Sequence, residues 1–85
     1  MALSTTYITV PFLEGAHGAL YPGAPRRSPS RRTAIAAADG LAPFYAGAIV
    51  LGDRNDLAAS VFLEPLLIHV VGSVPKDLLS ELAAA

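Results

Sequence analysis

Along Thr5-Thr6-Tyr7-Ile8-Thr9-Val10-Pro11-Phe12-Leu13 apolar positions alternate, with Ile8, Val10 and Phe12 on one face of an extended chain. β-Branched and aromatic residues dominate the stretch, which predicts a strand. Pro11 has no backbone donor, so this strand is expected at a sheet edge or bent at that point. Glu14-Gly15-Ala16-His17-Gly18 reads as a turn, Ala19-Leu20-Tyr21 as a short returning strand and Pro22-Gly23 as its end. Ala24 to Ser28 reads as a loop.

From there the period lengthens to that of a helix. Ser28 is the predicted N-cap, with Pro29 at the first position, where a missing amide hydrogen costs nothing. The helix runs through Thr33 to Ala42, with Ile35, Ala38, Leu41 and Ala42 on one small-sided face that Tyr45 would extend. Gly40 and Pro43 weaken its end. Ala46 to Leu51 is apolar on both faces and reads as a central strand. Gly52 to Ala59 is a predicted polar turn, and Val61 to Val71 a strand interrupted by Pro65, with Leu66 to Val71 its strong part. Gly72-Ser73 turns the chain into a short helix over Pro75 to Leu82 that can dock Leu78, Leu79 and Leu82. Residues 1–85 are therefore expected to form a single α+β domain. One main helix packs on a small, mostly antiparallel sheet, in the order β(β)αββ with a short C-terminal helix.

Composition adds an expectation about partners. Hydrophobic residues make up 53% of the 85 and charged residues 15%, against about 25% charged in ordinary domains. A chain this short has much surface and little interior, so apolar surface is expected to stay exposed or be covered by another protein. A homo-oligomer, in the simplest case a homodimer, satisfies this. The absence of cysteine excludes disulfides, thiol catalysis and cysteine zinc sites, and fits a cytoplasmic setting. Met1-Ala2-Leu3-Ser4 lacks a basic secretion-signal start, and the apolar run Leu41 to Leu51 is broken by Pro43 and Gly47. No membrane partner is expected.

The segments also form a recognisable series. A tyrosine-bearing strand ends in Val10-Pro11-Phe12, and Leu20-Tyr21-Pro22-Gly23-Ala24-Pro25 follows. Next come an alanine-rich helix closing in Gly40-Leu41-Ala42, an Ala46-Gly47-Ala48-Ile49-Val50 strand and Gly72-Ser73-Val74-Pro75-Lys76-Asp77-Leu78. The series resembles a group of small uncharacterised bacterial proteins over nearly the whole chain. The resemblance implies the same fold and no particular activity. Two features depart from it: only Asp53 and Asp56 stand where the group has a more acidic turn, and Pro43 interrupts the helix end.

Charge is unevenly placed. Arg26-Arg27-Ser28-Pro29-Ser30-Arg31-Arg32 holds four of the six basic residues and no acid, while the rest of the chain has two basic against seven acidic residues. Free amides at a helix start, joined by the forks of Arg26, Arg27, Arg31 and Arg32, are suited to a phosphate or carboxylate. Set against this is a solvated loop, and the net charge of −1 is not that of a strongly basic nucleic-acid-binding domain.

The other candidates carry less. His17 lies in a glycine turn, and His69 alternates with Ile68 and Val70, which places it on the solvent face of a sheet; with Asp53 or Asp56 they show no metal-ligand spacing. Asp53-Arg54-Asn55-Asp56 starts like a calcium loop but continues with Leu57 and Ala58 where a ligand and a glycine are needed. Gly15, Gly18 and Gly23 make no phosphate loop, and the serines Ser4, Ser28, Ser30, Ser60 and Ser73 lie in no nucleophile elbow. His69, Ser73 and Asp77 are merely four residues apart, and Glu14 and Glu64 cannot be paired from sequence. The reading is thus a non-enzymatic interaction module with no cofactor. It self-associates or docks on a protein through Val61 to Val71, or through Thr5 to Leu13 at an edge. The alternative is anion or nucleic-acid binding through the arginine cluster.

Overall fold

A computed structural model of the chain describes residues 4–56, 61–62 and 65–84. The fold is α+β, as the hydrophobic pattern predicts. β1 (Ser4–Glu14) turns through a short 3-10 segment at Ala16–Gly18, where His17 takes a left-handed φ of 60°. The chain then returns along β1 as β2 (Leu20–Pro22) and β3 (Arg26–Ser28), both antiparallel to it. Phe12 faces Pro22 but Tyr7 faces Ser28, so the returning side carries one extra residue. β2 and β3 are one edge row interrupted by a bulge around Gly23 to Pro25.

α1 (Arg31–Leu41) then crosses over to β4 (Gly47–Asp56), which pairs antiparallel with the other side of β1, Val10 opposite Ile49. β5 (Val61–Phe62) and β6 (Leu66–Gly72) return along the far side of β4, and α2 (Lys76–Ala84) follows. The sheet therefore has four antiparallel rows, β2/β3, β1, β4 and β5/β6.

The period of two separates two cores. On one face Ala48 and Val50 of β4, with Tyr7, Ile68 and Val71, pack against Ala34 and Ala38 of α1. On the other, Phe12, Ile49 and Val74 form a cluster with Val10, Leu51, Leu67 and the α2 residues Leu78 and Leu79. Thr9 is fully buried on the α1 face, and its hydroxyl donates to the Ala34 carbonyl at 3.1 Å. A threonine side chain reaches the helix backbone this way because Ala34 and Ala38, the inward residues at that point, are small.

Four expectations are corrected. β1 is central rather than an edge, since β2/β3 flank it on one side and β4 on the other. Pro11 fits there because its carbonyl accepts from the Gly23 amide at 2.8 Å. A strand residue points its N–H and C=O to the same side, so the absent N–H of Pro11 faces the bulge, where the ladder is already broken. The expected loop contains β3, and Ser28 lies in that strand. The N-cap is Ser30, whose side chain accepts from the Thr33 amide at 3.2 Å. The buried stripe of α1 is Ala34, Ala38 and Leu41, with Ile35 half-buried and Ala42 exposed. Finally, β4 runs through Gly52 to Asp56, most of the expected turn. The rest of that turn at 57–60 and residues 63–64 with Glu64 lie outside the described residues, and of Leu82 only the backbone, in α2, is described.

Candidate functional site

The arginine cluster is divided by the strand that carries half of it. Arg26 pairs with Thr9 and so lies on the α1 face, while Arg27 pairs with Ile8 on the opposite face. Arg31 precedes Ala34 by three residues and lies on the sheet side of α1, whereas Arg32 is turned away from the buried stripe. All four are exposed. Arg26 and Arg31 thus share the side of the sheet on which α1 lies, and Arg27 and Arg32 project elsewhere. Ser30 and Thr33 also join their hydroxyls at 2.8 Å, which tightens the first turn.

His69 is not on the solvent face. It pairs with Val50, whose side chain is in the α1 core, while Leu67 pairs with Leu51 on the other face. The extra residue between them, Ile68, makes a bulge, and Ile68 and His69 both lie on the α1 side. His69 Nε2 consequently stands 3.0 Å from Asp39 Oδ1, tying β6 to α1. The two side chains are 32% and 57% exposed, which makes this a solvent-screened link of about 0–1 kcal/mol. His17 is exposed in its turn at the far end of β1. Arg54, expected in a polar turn, pairs with Thr5 on the α1 face and is half-buried, its Nε shielded from solvent and without a hydrogen-bond partner among the described residues.

The two edge rows differ in chemistry. β2/β3 carries Pro22, Pro25, Arg26 and Arg27 around a bulge, each a device that hinders another strand from joining. The β5/β6 row has its one described proline, Pro65, ahead of β6 and its bulge at Ile68, and from Leu66 to Gly72 it has no proline and no side chain that is always charged. Its backbone phase follows from Pro11. Since Pro11 points at β2/β3, Val10 points at β4 and Ile49 points back at it. Ala48 and Val50 then point at β6, their partners Val71 and His69 point back, and Val70 and Gly72 turn their N–H and C=O outward. Among the described residues no strand pairs with that outer side.

No protein family, curated protein or solved structure matches the chain. The chemistry therefore rests on the geometry alone. No cavity opens in the described structure, and no three of its His, Asp or Glu side chains gather where a metal ion could be held. No helix among the described residues is long and apolar enough to cross a membrane. What the surface offers is contact area: Tyr21 is 49% exposed, Phe44 81%, Leu66 46% and Val70 37%. Leu66 and Val70 are both on the open edge row. The outward phase of Val70 depends on its pairing with Ile49 and on the side of β1 to which the Pro11 carbonyl turns. Alternation along the sequence shows neither.

Proposed function

We propose that this chain is a non-enzymatic interaction module that works by self-association, as a homodimer. The observation that carries the reading is its surface. Among the described residues no strand pairs with the outer side of β6, and the apolar side chains of Leu66 and Val70 stand exposed along that row. Large apolar side chains standing in solvent support the same reading. Sedimentation of the full chain over a wide concentration range is expected to show a reversible monomer–dimer equilibrium. A monomer at every concentration counts against the reading.

A second reading is favoured by Arg26 and Arg31 lying on the same side of the sheet as α1, close in sequence to its start, with no carboxylate in ion-pair distance of either among the described residues. It makes this corner an anion or nucleic-acid contact. Amide shifts on adding short mixed-sequence DNA or a nucleotide are then expected at Arg26 to Thr33. With two phosphate contacts, the logarithm of affinity should fall against that of salt concentration with a slope of about −2. Absence of shifts at low salt removes this reading.

A further inference from the structure

We propose that two copies join edge to edge through β6, in antiparallel pairing about a two-fold axis beside Val70, so that the four-row sheets of both become one continuous sheet. The inference rests on the self-association reading and names its surface.

The first argument is elimination between edges. A copy that placed its β6 against the β2/β3 row of another would leave a free edge at each end, and such head-to-tail addition makes filaments. Pro22 and Pro25 remove donors from that row, and Arg26 and Arg27 put charge on both of its faces. Pairing of β2/β3 with itself is hindered on both sides by the same residues, with arginines brought near arginines. The remaining arrangement is β6 with β6, which is isologous and closes after two copies.

The second argument is fit. Val70 turns its N–H and C=O outward, so Val70 opposite Val70 exchanges two hydrogen bonds across the axis. In that register Ile68 of one copy lies opposite Gly72 of the other, and His69 opposite Val71. No ionisable side chain meets its own copy, and His69 is held by Asp39 of its own chain. The exposed Val70 side chains, on the α2 face, come together at the axis, where apolar pairs are the stabilising unit of a sheet. The other β6 residue with a large exposed side chain, Leu66, stands just beyond this short pairing.

The test uses the full chain and three measurements. Val70→Pro deletes the outward amide hydrogen at a position where the ladder to β4 makes no demand on it, so the fold tolerates it as edge strands do. Sedimentation of Val70→Pro is expected to show dimerisation weakened on the order of 100-fold, with the circular dichroism unchanged, because each copy leaves a buried acceptor unmet. Val70→Lys, which puts like charges at the axis, should give the same loss. Hydrogen exchange on the unmodified protein is independent of whether either variant folds: the Val70 amide should be protected at concentrations that favour the dimer and lose protection on dilution. A dimeric wild type with a fast-exchanging Val70 amide, or variants that fold and dimerise normally, overturns edge pairing and leaves self-association standing. A wild type that never dimerises overturns both.

Discussion

Gly47→Ala should destabilise the fold by at least about 3 kcal/mol, a large share of the ~4–13 kcal/mol available to 85 residues. A Cβ at this position would collide with the Ser73 carbonyl oxygen and lie 2.7 Å from that of Val71. Both are backbone atoms of the segment that leaves β6 for α2, and they cannot swing aside as a side chain end would. Gly47 also pairs with Phe12 on one side and with Gly72 on the other. Gly72 has a φ of +66°, and a Cβ there would stand 2.5 Å from the Ala46 carbonyl oxygen. Two glycines thus let β4 and β6 cross closely where the chain turns back, and the Ser73 amide donates to the Ala46 carbonyl at 2.9 Å across the same point. Urea unfolding is the measurement. It belongs at one fixed protein concentration, because the stability of a dimer depends on concentration. A loss below about 1 kcal/mol would mean that the crossing has room to open.

The same crossing shows how far the sequence can be read. Gly47 and Gly72 look like ordinary breakers in the chain, and nothing in their neighbourhoods says that they face each other. Elements with a strong period were legible: the strand from Thr5, the alanine-rich helix, the central strand at Ala46 to Leu51 and the pairing of its successor with it. What alternation cannot show is an interruption of alternation. Ile68 and His69 are adjacent, and a period of two sends them to opposite faces. One extra residue in β6 sends both to α1, and the contact with Asp39 follows. Pro11 misled for a related reason. A proline excludes a central strand only if both neighbouring ladders are intact, and here the neighbour is broken opposite it. The arginine cluster was legible as a charge, but its division between two faces is a matter of strand phase. Arg26 and Arg27 fall into β3, a strand too short and too rich in proline and arginine to announce itself. The open edge is the row of β6 because β1 is internal, and nothing in the pattern of Thr5 to Leu13 shows that.

Ala38→Leu should cost about 3 kcal/mol, and its effect should overlap with that of Thr9→Val. Ala34 and Ala38 are fully buried against Ala48 and Val50, themselves fully buried, so extra carbons at position 38 have nowhere to go except between helix and sheet. Lifting α1 separates the Thr9 hydroxyl from the Ala34 carbonyl, now 3.1 Å apart. Thr9→Val alone keeps the shape of the side chain and removes only the donor. The Ala34 carbonyl retains its partner one turn on in the helix, so the cost should be about 0.5–1.5 kcal/mol. In the Ala38→Leu background that bond is already broken, and Thr9→Val should then cost almost nothing. A double-mutant cycle should therefore give a coupling about equal to the single Thr9→Val effect. Strict additivity would mean that the leucine is absorbed without moving α1, and that close approach of helix to sheet is not what the alanine face is for. The coupling also bears on the open edge. His69 links β6 to Asp39 of α1, so a helix lifted from the sheet loosens the row whose outer side carries Val70. Ala38→Leu should accordingly weaken dimerisation as well as folding, whereas Thr9→Val, which leaves α1 seated, should weaken folding alone.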